Sequence, residues 1–85
     1  MEMEKIIVHL TVPAVSCELD MYIPGFVSIR ELTGLIVRAV EDISNHQYQS
    51  SGKEVLCYKE QDQVLAQEPD AQFYGIQNGD HLFLI

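Results

Sequence analysis

Basic residues are scarce in this sequence. Five lysines and arginines stand against thirteen aspartates and glutamates, for a formal net charge of −8. A charge of that sign repels nucleic-acid phosphates and anionic lipid headgroups, which excludes both as expected partners. Long apolar runs are also missing. The longest candidate, Ile6–Val12, is broken by His9 and Thr11, and nothing approaches the roughly 20 residues of a membrane span. The N-terminal Met1-Glu2-Met3-Glu4 is acidic where a signal peptide needs basic residues. The expected location is therefore cytoplasmic, with no insertion into a membrane. Cysteine is limited to Cys17 and Cys57, well separated and in apolar surroundings. They are expected to be reduced core thiols, neither a redox pair nor half a zinc site. The glycines at 25, 34, 52, 75 and 79 form no phosphate-binding loop.

What is present is enough for one core. The chain has 85 residues, 47% of them hydrophobic, and a near-neutral mean hydropathy. Such a chain buries roughly 60% of its unfolded surface and is expected to fold as a single domain over residues 1–85, without a stabilising metal.

Residues 5–12, KIIVHLTV, alternate so that Ile6, Val8, Leu10 and Val12 share one face, with Lys5, Ile7, His9 and Thr11 on the other. Pro13 has no N–H for a ladder and begins a turn. The next run alternates again, setting Cys17, Leu19, Met21 and Ile23 against Glu18, Asp20 and Tyr22. Two alternating strands with a short link predict an antiparallel hairpin with one wet face. Ser28-Ile29-Arg30-Glu31 has the form of a capping box, and a helix is expected from there to about Asn45. Its apolar stripe is Ile29, Leu32, Ile36, Val40 and Ile43, with Ala39 at the edge and Val37 outside as a lone exposed valine. Residues 44–53 are polar and end in Ser-Ser-Gly, predicting a mobile loop.

Further along, EVLCYKE reads as a third strand, Gln61-Asp62 as a turn and Val64-Leu65 as a short fourth strand. Asp70 is the expected N-cap of a single helical turn, Ala71–Tyr74, closed by Gly75 with positive φ. After it Ile76 turns back to the core. Asn78-Gly79-Asp80 leads into a last strand in which Leu82 and Leu84 share a face. The order β-β-α-β-β-β predicts an α+β fold with one long helix on one face of a five-stranded mixed sheet. If the last strand lies parallel to the first, the fold is a β-grasp and the final residues run through the middle of the sheet.

The hairpin, the long helix, the two short strands, the turn D-A-Q-F-Y-G-I and the closing N-G-D-x-L-x-L together resemble ubiquitin across the whole chain. Within that superfamily the closing Asn78-Gly79-Asp80-His81-Leu82-Phe83-Leu84-Ile85 is most similar to the YukD-type proteins of Gram-positive type VII secretion systems. The resemblance implies a non-catalytic accessory or regulatory protein. It would act by binding protein components of the secretion apparatus, such as cytoplasmic domains of its membrane subunits. Ubiquitin-like modifiers and sulfur carriers act through a C-terminal Gly-Gly, whereas this sequence closes on Leu84-Ile85, so binding rather than conjugation is expected. An alternative within the fold is a signalling adaptor module unrelated to secretion, using opposite charge or edge-strand pairing, for which Glu18-Leu19-Asp20 is the available feature.

No nucleophile, acid–base or metal-ligand constellation converges in the sequence. No enzymatic activity, cofactor, metal or small-molecule substrate is expected. The candidate site is a partner-binding surface on the sheet face opposite the helix, comprising Ile7, His9, Leu56, Tyr58, His81 and Phe83. That assignment takes Val55 and Cys57 as inward. The reverse register stays open, because both faces of 54–59 are apolar. His9 and His81 are expected as solvated neighbours, and Glu18 and Asp20 as solubilising charges.

Overall fold

The computed structural model describes residues 5–85. The expectation drawn from Met1–Glu4 lies outside the described residues. Strand β1 (Lys5–Val12) pairs along its full length with antiparallel β2 (Cys17–Pro24), from Lys5↔Pro24 to Val12↔Cys17. Their connection is a 3-10 turn at Pro13–Val15, closed by Ser16 in the left-handed region at φ 51. Helix α1 (Ile29–Ile43) follows, and the Ser28 side chain accepts the Glu31 N–H as its N-cap. Strands β3 (Leu56–Tyr58) and β4 (Gln63–Val64) form a second antiparallel pair around a 3-10 turn. A short helix, α2 (Ala71–Tyr74), is capped by Asp70 through the Phe73 N–H and ended by Gly75 at φ 72. Strand β5 (His81–Leu84) completes a sheet of order β2-β1-β5-β3-β4.

Strand β5 is parallel to β1, with His9↔His81, Leu10↔Leu82 and Thr11↔Phe83, and antiparallel to β3. It is the central strand, and Leu82 and Leu84 are buried between the inner residues of β1 and β3. The Asn78-Gly79-Asp80 segment is what seats it. Asn78 Oδ1 accepts the Ile7 N–H at 2.9 Å, the Gly79 N–H donates to the Ile7 carbonyl at 2.8 Å, and the His9 N–H donates to the Asp80 carbonyl at 2.8 Å. Gly79 has φ 90, a conformation a side chain would strain. These bonds extend the β1–β5 pairing backward past the strand. The β-grasp arrangement expected from the element order is therefore the one adopted.

The core lies between the sheet and α1. Ile6, Val8, Leu10, Val12, Ile23, Leu56, Leu82 and Leu84 face Ile29, Leu32, Ile36 and Val40, with Leu65, Ala71 and Ile76 closing one end. Burying a side chain of this kind contributes about 1.5–3 kcal/mol, so this single cluster dominates stability.

Two expectations about α1 are corrected. The helix ends at Ile43, not near Asn45, and Asn45 and His46 both take left-handed φ values. Ile43, assigned to the apolar stripe, is 56% exposed, whereas Val37, assigned to solvent, is buried. The burial of Val37 follows from residues 44–54, which return against the helix. Tyr48 is buried in the core cluster, and Ser50, Gly52 and Glu54 line one groove with Thr33 and Val37. The Glu54 carboxylate accepts from Tyr48 OH at 2.9 Å, Ser51 N–H at 2.8 Å and Ser50 OH at 3.3 Å. A loop expected to be mobile is thus tied to the body by a buried aromatic ring and one carboxylate. Burial pushes the Glu54 pKa up, but the hydrogen bonds from Ser51, Tyr48 and Ser50 outweigh it and hold the group below its ordinary value. Burial, then the bond to Glu54, pushes Tyr48 up to about 12.

Candidate functional surface

The side of the sheet away from α1 is the candidate site. Its residues follow from register. A connection of four residues, Pro13–Ser16, sets Tyr22 opposite Ile7, Asp20 opposite His9 and Glu18 opposite Thr11. Parallel pairing then brings His81 beside His9 and Phe83 beside Thr11. Across β3 and β4, Phe83 meets Cys57, and Cys57 meets Val64. Partners directly opposite in a ladder share a face. The surface therefore consists of rows: Tyr22 and Ile7 at one end, Asp20, His9 and His81 in the middle, and Glu18, Thr11, Phe83, Cys57 and Val64 beyond.

Four of the six sequence-assigned residues, Ile7, His9, His81 and Phe83, lie together on this face, each half-buried. The other two do not. Leu56 and Tyr58 are 0% and 3% exposed and point into the core. Their partners decide this: Leu56 pairs with Leu84 and Tyr58 with Leu82, so once β5 turns its leucines inward, β3 must turn these residues inward too. Side-chain size favours the same register, since it buries a leucine and a tyrosine and leaves the smaller Cys57 outside. The Tyr58 hydroxyl is satisfied by donating to the Asp80 carboxylate, which also accepts the Gln77 N–H at 2.9 Å. Burial, then this bond, pushes the Tyr58 phenol up to about 12.

The two cysteines separate accordingly. Both are free and half-buried; Cys17 packs against the core, while Cys57 belongs to the open face and is not a core thiol. Beyond β5, the Ile85 N–H and carbonyl exchange hydrogen bonds with Val55, both at 3.0 Å, while the Ile85 side chain is exposed. Val64, 58% exposed, and Cys57 extend the apolar row that Phe83 begins. Neither was assigned to the site from sequence, because each followed from a register that the strand's own composition does not express.

The middle row carries the charges. His9 Nδ1 stands 2.8 Å from Asp20 Oδ1, and His9 Nε2 stands 3.1 Å from Glu18 Oε1. His81 Nδ1 is 2.7 Å from Glu60 Oε2, and the other Glu60 oxygen accepts the His81 backbone N–H at 3.0 Å. The two imidazoles meet edge-on, with centroids 5.4 Å apart. Glu18 and Asp20 are therefore engaged by a histidine rather than serving only as solubilising charges. The hairpin register alone could have found this contact, since counting outward from Pro13–Ser16 reaches His9 and Asp20 together. Burial pushes the Glu60 pKa up, but the hydrogen bonds from His81 prevail and lower it. Among the described residues no group of three or more histidines, cysteines or acids could hold a metal ion, and no helix is long and apolar enough to cross a membrane.

No protein-family model and no curated protein matches the chain. Solved structures do. The ubiquitin-like domain of the type VII secretion protein ECCD1 from Mycobacterium tuberculosis matches with a TM-score of 0.76 at 13% identity, over 98% of this chain and 99% of that one. The EccD5 ubiquitin-like domain from Mycobacterium xenopi matches with a TM-score of 0.70 at 12% identity, over 96% and 93%. A ubiquitin-like domain of an Arabidopsis thaliana protein gives a TM-score of 0.72 at 19% identity, over 96% and 77%. At such identities the likeness is one of fold: the chain has the ubiquitin-like β-grasp fold.

Proposed function

We propose, from that ubiquitin-like fold, that the chain is a non-catalytic accessory or regulatory protein of a type VII protein secretion system, of the YukD type. It acts in the cytoplasm by binding a protein component of the apparatus, such as a cytoplasmic domain of a membrane subunit. Two observations support the secretion reading: the closing Asn78–Ile85 segment, and the presence of two type VII secretion ubiquitin-like domains among the structural neighbours. The observation that carries binding is the apolar row Phe83–Cys57–Val64 on an otherwise acidic protein, clustered as a docking patch is and scattered surface residues are not. Ile7 and Tyr22 extend the apolar character at the other end of the face. The charge-based form of the rival reading, a signalling adaptor using an acidic cluster at Glu18 and Asp20, is disfavoured because His9 stands 3.1 and 2.8 Å from those carboxylates and, when protonated, offsets part of their charge.

Purified cytoplasmic domains of the membrane subunits, offered to the wild type and to Phe83→Asp, test the proposal. A charge at the head of the apolar row removes capture while the far-ultraviolet dichroism of the folded protein persists. Val64→Asp, on a well-exposed edge residue, provides a second variant that does not disturb the core. Capture unchanged in both folded variants removes this face as the docking surface.

A further inference from the structure

The arrangement around His9 carries more than docking requires. Both of its ring nitrogens stand within hydrogen-bond distance of a carboxylate oxygen, Asp20 on one side and Glu18 on the other. A carboxylate only accepts, so both contacts are attractive only when both nitrogens carry hydrogen. The imidazolium is the form that fits. A neutral ring has one N–H and one lone pair, and it can hold one of the two acids while repelling the other. The groups facing it are Asp20 and Glu18 from β2, His81 from β5 and Glu60 through His81 from the turn after β3. Its β1 neighbours on this face, Ile7 and Thr11, carry no charge, and the Asp80 side chain is occupied by Tyr58 and the Gln77 N–H.

We propose that His9 is a proton-operated clasp on the docking face: protonated, it draws Glu18 and Asp20 of the edge strand across β1; deprotonated, it releases one of them and leaves the centre of the face more negative by one charge. The clasp stands on its own geometry. Its consequence, that capture of a partner is proton-linked, rests on the docking reading above. A compensated row is less costly to cover with an apolar partner than one with a loose carboxylate, so capture is stronger with the clasp closed. The hydrogen bonds from Asp20 and then Glu18 raise the His9 pKa above its ordinary 6.5. The clasp therefore closes as pH falls through the folded-state value, which lies above 6.5, and opens as pH rises through it.

Nuclear magnetic resonance titration of the protein alone tests the clasp, following the His9 ring together with the side-chain carboxyl carbons of Glu18 and Asp20. The expected result is a His9 midpoint above 6.5, both carboxyl signals moving at that midpoint, and a lower midpoint in the double variant Glu18→Gln, Asp20→Asn. A midpoint unmoved in the double variant, or carboxyl signals silent at it, overturns the clasp. Capture of the cytoplasmic domain across the same titration reads the consequence. The wild type loses about two- to fivefold, the scale of one exposed charge contact, and His9→Gln loses the pH dependence. Capture that stays constant with pH while the clasp titrates refutes the coupling. An absence of capture at every pH refutes the docking reading and leaves the clasp to the titration.

Discussion

Replacing Tyr58 by phenylalanine separates the two possible registers of β3 with one atom. The ring of Tyr58 is buried and its hydroxyl donates to the Asp80 carboxylate in the turn that seats β5. The Tyr58→Phe change keeps the ring and removes the donor. A hydrogen bond to a charged group is worth about 1.5–3 kcal/mol, and Asp80 keeps one partner, the Gln77 N–H, so the lower half of that range applies. For a domain of this size each kcal/mol moves the melting temperature by about 4–8 °C, giving an expected fall of roughly 6–18 °C. Thermal unfolding followed by circular dichroism measures it. The phenol offers an independent readout. Its folded-state pKa of about 12 exceeds the ordinary 10, so its contribution is intact below pH 10 and disappears as pH rises toward 12. Spectrophotometric titration of the Y58F variant should lack one late-titrating tyrosine. An unchanged melting temperature, with the lost phenol missing from the ordinary range near pH 10 and not from the late phase, would return Tyr58 to the open face and refute the register argument.

Two further outcomes follow from the same packing. Leu82→Ala empties a fully buried site in the central strand and should cost about 2–5 kcal/mol in urea unfolding; a loss below about 1 kcal/mol would contradict a central β5. Glu54→Gln weakens the knot that ties residues 44–54 to α1, so amide exchange should accelerate at Ser51 and its neighbours while β1 and β5 stay protected. Because the Glu54 pKa is lowered, that knot is intact above the group's ordinary 4.5 and loosens as pH falls through the folded value, a dependence the glutamine variant should lose.

Local chemistry made much of this protein legible before any fold was known. Alternation placed all eight residues of β1 on their correct faces, and Ser28 and Asp70 marked both helix starts, because capping and pleating are decided within a few residues. Gly75 marked the end of α2 for the same reason, a left-handed φ that glycine adopts freely. Where the sequence left a choice, the neighbours made it. The run Val55-Leu56-Cys57-Tyr58 is apolar on both faces, and only pairing with Leu82 and Leu84 turned Leu56 and Tyr58 inward and brought Cys57 out to the candidate surface. Val37 is buried because residues 44–54 return over one side of α1, a contact no helical periodicity contains. The grip of His9 on Asp20 and Glu18, and of His81 on Glu60, likewise joins residues from different strands and turns. The order and type of the elements, their caps and the two inward leucines of β5 were legible in the chain alone, since these depend on short-range sterics and on how much apolar surface each segment must bury. Which side of β3 meets solvent, and which carboxylates meet which imidazole, were decided by tertiary structure, since pairing energy belongs to two strands at once and neither strand carries it alone.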